Sequence, residues 1–366
     1  MKRRGLASRL PAILKDPLML MAIAVVAVGM FAAFSPLPGL RIFTDALRSA
    51  TGGQAAVFAL AAIGLNIHFG YTGLLNFGHV GFLLVGAYGT AATVSTFGGS
   101  LWLGILIGMG LSVVLALIMG GTAVRLRADY LAIVTIAVAE ILRFLARSRA
   151  ATDVTGGVFG LQGFADAFYD INPIPRGIYA LGWLQFTERR LWPIVAGWGL
   201  VVLVSIVVWL LMRSPWGRVL RAVREDEDAA RALGKNAFGY KLQSLMLGGV
   251  IGGLAGSLWA IHLQAVTPDQ FLPIQTFFVY AVLILGGPGT VAGPVVGSVI
   301  FWFVVAGFDS FLRAAAFAGY IPDFLGATEA VGAARFVLVG AGLMALMIFR
   351  PQGLLGNKRE MQIVAS

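Results

Sequence analysis

From Leu242 to Phe308 the chain carries one formally charged side chain, Asp269. A run of that length cannot be wrapped around a water-soluble core, and it reads as a succession of segments lying in lipid. The rest of the chain agrees. Its 366 residues are 58% hydrophobic and only 12% charged, where a soluble domain has about 25% charged residues. The 48 glycines suit helices that must approach closely where lipid supplies no hydrophobic drive between them. The expected fold is all-α: one polytopic transmembrane helical bundle over residues 1–366, with about 8–10 spans and with broken or re-entrant segments.

Hydropathy places spans at Pro17–Phe34, Gln54–Phe69, Tyr71–Thr96, Leu101–Thr122, Tyr130–Ala146, Leu191–Met212, Leu242–Leu263 and Val331–Phe349. The first follows a basic N-terminus and reads as an uncleaved span. A surface helix is expected near Phe43–Ser49. Residues 147–190 read as an extracytoplasmic loop. Ile274–Gly307 is broken by Gly286, Gly287, Pro288, Gly289, Gly293 and Pro294, which fits either two spans with a tight hairpin or a re-entrant loop. Such Gly/Pro-broken segments point towards a transport path. Basic residues at Arg125, Arg127, Arg350, Lys358 and Arg359 put those ends, and both termini, in the cytoplasm.

One polar insert interrupts this pattern, residues 213–241, with helix grammar from Ser214 to Asn236. Ser214 can cap and Pro215 suits the first turn. Arg221 and Glu225, Arg224 and Asp228, and Glu227 and Arg231 stand four apart and can pair. Leu220, Val223, Ala230 and Leu233 form a narrow apolar stripe, and Gly234 is a stop. The insert is either an ordered solvent loop or a docking helix for a cytoplasmic partner.

A few polar groups lie inside apolar runs, where they need a partner or a wet cavity. Asn66, Asn76 and His79 suit interhelical hydrogen bonds. Glu140 can pair with Arg143 one turn on, reach His79 across helices, or line a pathway; the Glu140–Arg143 pair can also sit at the outer boundary and snorkel. His68 and His262 stand near span ends and carry little signal. Thr155, Gly156 and Gly157 form a simple turn or an anion nest. Gly86, Gly89, Gly104, Gly108 and Gly110 read as packing positions. Trp183, Trp192, Trp198, Trp209 and Trp216 include interface anchors.

Much chemistry is unsupported. With no cysteine and three histidines, no thiolate chemistry and no metal site is expected. No GxxxxGK[ST] loop and no catalytic constellation stands in an aqueous segment. The net charge of +10 fits positive-inside bias and anionic lipid rather than nucleic acid. Uphill transport would therefore draw on an ion gradient or on another subunit.

The insert's Asp228–Gly234, DAARALG, resembles the EAA---G coupling motif of ABC-importer permeases, with Asp for Glu. Gly70–Tyr88, Tyr130–Arg143, Thr155–Leu161, Trp216–Asn236, Leu283–Gly297 and Arg350–Gly356 together resemble the LivM-type permeases of branched-chain amino acid ABC transporters. The resemblance implies a multi-pass chain of the bacterial inner or plasma membrane. It also implies a LivH-like permease partner, LivG-like and LivF-like ATPases, and an extracytoplasmic binding protein. Leucine, isoleucine and valine are the implied substrates; related permeases serve urea, short amides or other amino acids. No cofactor is expected on this chain, with ATP and Mg in the ATPases. Arg218, Arg221, Arg224, Glu225, Asp228, Ala229, Ala230, Leu233 and Gly234 become coupling candidates, on one helix acting as a lever. Asn76, His79, Glu140, Thr155, Gly156 and Gly157 become pathway or gating candidates. The rival class is a self-sufficient secondary transporter.

Overall fold

A computed structural model describes residues 39–123, 128–181, 184–320, scattered positions from 332 to 344, and 352–356. Pro17–Phe34, Arg125, Arg127, Trp183, much of Val331–Phe349, Arg350, Lys358 and Arg359 lie outside the described residues. The fold is an all-α polytopic bundle. Its helices are α1 (Gly39–Thr51), α2 (Gly53–Leu65, running into a π-helical turn at Asn66–Tyr71), α3 (His79–Ser95), α4 (Leu101–Ala123), α5 (Ala128–Arg147), α6 (Glu188–Arg213), α7 (Pro215–Glu225), α8 (Glu227–Ala232), α9 (Ala237–Leu263), α10 (Pro273–Gly286) and α11 (Gly293–Phe317). Among the described residues, five segments are long and apolar enough to cross a membrane: Gly53–Tyr71, Leu101–Gly121, Glu188–Arg213, Ala237–Leu263 and Gly293–Phe317.

The apolar character of these segments is nearly uniform, so burial rather than amphipathicity sorts them. The hydrophobic windows of Gly53–Tyr71 and Ala237–Leu263 are 89% and 78% buried, against 22% for Glu188–Arg213. α2 and α9 are therefore the centre, and α6 is peripheral. Glycine makes the centre possible. At Gly256 an added Cβ would collide with the Leu83 carbonyl, and at Gly86 with the Gly253 backbone. At Gly104 it would come within 2.7 Å of Thr90 O, and at Gly108 within 2.7 Å of Gly86 O. α3, α4 and α9 thus touch backbone to backbone, the close contact that small residues permit in a membrane. Gly89 likewise abuts Gly108, whereas a Cβ at Gly110 would meet nothing within 4 Å among the described residues.

One expected span comes out differently. Tyr71–Thr96 is not one helix: residues 73–78 leave the helical path and α3 starts only at His79. Gly73 takes φ +75°. Thr72 Oγ1 and Ser244 Oγ both donate to the Ile67 carbonyl, at 2.8 and 3.1 Å. Side chains thereby satisfy backbone that a π-turn frees. Ile274–Gly307 resolves into α10 and α11 with a break at 287–292. α10 has 14 residues, about 21 Å at helical rise, short of a hydrocarbon core of about 30 Å.

α1 extends the expected surface helix, burying Ile42, Ala46 and Ala50 at a four-residue spacing. Residues 147–190 hold short helices at Thr152–Thr155 and Asp166–Asp170 and a hairpin of β2 (Ile178–Leu181) and β3 (Leu184–Thr187). β1 (Leu161–Gln162) pairs antiparallel with β4 (Ala265–Val266), tying this loop to the end of α9. The tryptophans expected at interfaces spend their N–H groups within the chain: Trp192 on Phe168 O, Trp198 on Thr51 O and Trp216 on Gln243 Oε1, each at 2.8 Å. Trp209 instead lies under the Arg213 guanidinium at 4.0 Å.

Candidate functional site

The insert is two helices rather than one. Asp226 is extended (φ −153°, ψ 105°), ends α7 and caps α8 by accepting Ala229 N–H at 2.9 Å. Two of the three expected ion pairs do not form, and only one of them, Arg224–Asp228, spans the break. Arg221 donates to the Met212 and Gly217 carbonyls at 2.8 and 3.3 Å rather than to Glu225. Arg224 donates to the Gly70 carbonyl rather than to Asp228. Glu227 does pair with Arg231 at 2.6 Å, and also with Lys241. Ser214 does not cap through its side chain, which donates to Leu211 O at 2.7 Å. Pro215 stands in the first turn, and Gly234 leaves α8 with φ +75°.

The expected stripe divides in the same way. Leu220, Val223 and Ala230 are buried in this chain's own core, while Leu233 is 80% exposed. α7 is therefore anchored by its apolar side, and that side is not open to another protein's groove. The outer surface presents Arg218, Arg221, Glu225, Asp228, Ala229, Leu233 and Gly234. Asp228, its side chain 95% exposed, stands 3.9 Å from Arg231.

Beneath α7 lies a buried polar cluster. His68, on the π-turn, is fully buried; one ring nitrogen meets Leu245 O at 3.2 Å and the other meets Asn76 Nδ2 at 3.1 Å. The His79 ring stands edge-on at 5.5 Å, with Nε2 at 3.0 Å from Ala61 O and Nδ1 without a hydrogen-bond partner. Asn76 Oδ1 accepts Gly78 N–H at 3.1 Å, and Thr135 Oγ1 accepts Phe77 N–H at 3.1 Å. Asn76 and His79 are thus brought together. His68, passed over in the sequence because it ends an apolar run, joins them because the chain folds back at 73–78.

Gly289 and Thr290 of the 287–292 break meet the same turn. Asn66 accepts Gly289 N–H and donates to Thr290 O, both at 2.8 Å. The segment 352–356 closes the other side: Leu354 and Leu355 N–H donate to the Leu285 and Gly286 carbonyls at 3.0 and 2.9 Å. These are carbonyls that a helix C-terminus leaves unpaired.

Glu140 does not pair with His79, whose Nε2 meets Ala61 O and whose Nδ1 has no hydrogen-bond partner. It holds Arg143 through two oxygens at 2.9 and 2.7 Å. Asp269 completes the group, 3.5 Å from Arg143 and 3.0 Å from Arg147. Asp269 follows Glu140 by far too many residues for sequence spacing to suggest the pairing. Gly156 N–H donates to Thr152 O at 2.9 Å and Gly157 N–H to Thr155 Oγ1 at 3.3 Å. Both amides of the suggested nest already have acceptors inside the turn. In the same loop the phenol of Tyr169 is pushed up by burial, against an opposing pull from Arg189. Among the described residues no group of three or more His, Cys, Asp or Glu could hold a metal.

The family profile described as branched-chain amino acid transport system / permease component matches residues 48–349. The high-affinity branched-chain amino acid transport permease LivM of Salmonella typhimurium is 30% identical over 364 residues, spanning 96% of this chain and 78% of that protein. A probable LivM of Methanocaldococcus jannaschii is 25% identical over 340 residues, 82% of this chain and 91% of that protein. The nucleoside ABC transporter permease NupC of Lactococcus lactis is 28% identical over 229 residues, 58% of this chain and 67% of that protein.

Proposed function

The chain belongs to the branched-chain amino acid transport permease family, and from that premise we propose that it forms the membrane path of an ATP-driven importer for leucine, isoleucine and valine. Permeases of this family work in ABC import and leave ATP hydrolysis to other subunits. The proposed partners are a LivH-like permease, LivG-like and LivF-like ATPases and an extracytoplasmic binding protein. The observation that carries the coupling role is the division of the insert. Leu220, Val223 and Ala230 root it in the bundle, while Asp228, Ala229 and Leu233 face outward. A rooted helix with a free polar and apolar tip can receive force from a neighbour and pass it inward. In this reading residues 213–241 are cytoplasmic and 147–190 face the binding protein.

ATPase dimerisation would displace α7 and α8 together and open the path alternately to each side. The lever of this mechanism is two helices hinged at Asp226. A second substrate reading, nucleosides, is favoured by the similarity to NupC. Reconstitution of the whole complex with labelled branched-chain amino acids, nucleosides and urea separates them. ATP-dependent uptake of leucine, isoleucine and valine is expected. Uptake confined to nucleosides or urea would replace the substrate, and uptake by this chain alone would replace the class.

A further inference from the structure

We propose that Arg224 is the tie through which movement of α7 enters the π-turn at Asn66–Tyr71 and, through Asn66, reaches the 287–292 break. This inference rests on the coupling reading above. Three observations place the tie. The Arg224 guanidinium donates to the Gly70 carbonyl, near the end of the π-turn. A guanidinium supplies charge-assisted donors to a carbonyl group that a helix end leaves exposed. The arginine's stem then lies where a side chain at Gly73 would stand: a Cβ there would be 3.2 Å from Arg224 Cγ, and Gly73 takes φ +75°. At Gly70 a Cβ would collide with Asn66 Oδ1 and lie 2.6 Å from Gly289 N. Gly73 thus clears the space beside Arg224, and Gly70 the space where the turn meets the 287–292 break.

The remaining links run without a gap. Asn66, on the same turn, holds Gly289 and Thr290 at 2.8 Å each. His68, between Asn66 and Gly70, touches α9 at Leu245 O. Rotation of the turn would thus shift the start of α11 and the buried histidine together. π-Turns recur at functional sites, where the extra residue leaves a helix locally easy to rearrange. Arg224 gives up the i,i+4 pairing with Asp228 to reach this turn, because the extended Asp226 carries Asp228 away.

The test uses the complete complex in proteoliposomes and reads ATP hydrolysed per leucine imported. Arg224→Ala is expected to raise that ratio roughly two- to thirtyfold, the range for breaking a coupling link remote from both ligands. Arg224→Lys, which keeps a donor, should fall between it and the wild type. Asn66→Ala should raise the ratio in the same direction. A covalent tie supplies the converse. The chain has no cysteine of its own, and the Gly73 and Arg224 Cβ positions are 3.8 Å apart, about the mean for a disulfide. Oxidising a Gly73→Cys/Arg224→Cys pair should bring the ratio back towards wild type, and reductant should undo this; Arg224→Cys alone should not respond. An unchanged ratio in Arg224→Ala overturns the proposal. So does failure of the Arg224→Ala complex to assemble, which would make the arginine a fold contact. Absence of ATP-dependent uptake by the wild-type complex would instead fault the functional reading.

Discussion

Replacing Gly256 with leucine is expected to destabilise the bundle by about 3 kcal/mol, the upper part of the usual range for overpacking. The reason is what stands opposite. The new Cβ would meet the Leu83 carbonyl, which is backbone and cannot rotate aside. α3 and α9 would have to separate, and the neighbouring approach of Gly86 to Gly253 would be lost with them. Gly110→Leu is the control, since a Cβ there would meet nothing within 4 Å among the described residues; its effect should stay within about 0.5 kcal/mol. Thermal unfolding of the purified chain in detergent, followed by size-exclusion chromatography, reads both. Equal midpoints for the two variants would mean that the glycine contacts do not set the helix spacing.

The second large effect is at the far end of the bundle. Glu140→Ala is expected to cost about 3 kcal/mol, because breaking a buried pair leaves an uncompensated charge. Arg143, with its side chain 8% exposed, would retain Asp269 at 3.5 Å and the Phe144 ring at 4.6 Å. Asp269 remains near it and Glu140 is itself partly exposed, so the cost belongs at the low end of that principle's range. Removing both charges with Glu140→Ala/Arg143→Met should recover most of the loss, since a buried pair and an apolar replacement are often similar in stability. Denaturant unfolding of the four forms gives the coupling between the two sites. Additive costs would show that the pair is held mainly by solvent and by Asp269.

The bundle itself was legible because hydropathy and charge act over whole segments. An apolar run of span length has few alternatives in lipid, and of the two Gly-Pro pairs Gly287-Pro288 stands in the break while Gly293-Pro294 opens the next helix. Local geometry was less legible. Asp226 ends α7, yet it sits in a string of charged residues whose four-residue spacings suggest one continuous helix. Its own chemistry was the available signal, since Asp is a strong N-cap residue and Ala229 N–H stands three residues on. Once the helix breaks there, Leu233 no longer shares a face with Leu220 and Val223, and the stripe loses its outermost member. His68 was passed over because hydropathy measures depth along a straight helix, and the fold-back at 73–78 puts a span end in the interior. Asp269 showed itself as a lone charge, but its partners Arg143 and Arg147 lie more than a hundred residues away.

These features give the bundle two working ends. One holds α7, α8, the π-turn, the 287–292 break and the 352–356 turn. The other holds the Glu140–Arg143–Asp269 group and the 155–163 loop. α9, with 27 residues, is about 40 Å long and joins them as the rigid member. Under the proposed lever, movement at one end would reach the other through this packed element.

The central claim is that the tip of α8 meets a nucleotide-driven subunit on the cytoplasmic side. A single Leu233→Cys in this cysteine-free chain tests it most directly, using a short thiol crosslinker on the assembled complex in membranes. The account predicts a covalent adduct with an ATPase subunit and no labelling of the same cysteine by an impermeant reagent added outside intact cells. Labelling from outside, or assembly of an active complex without any ATPase adduct at this position, would contradict it.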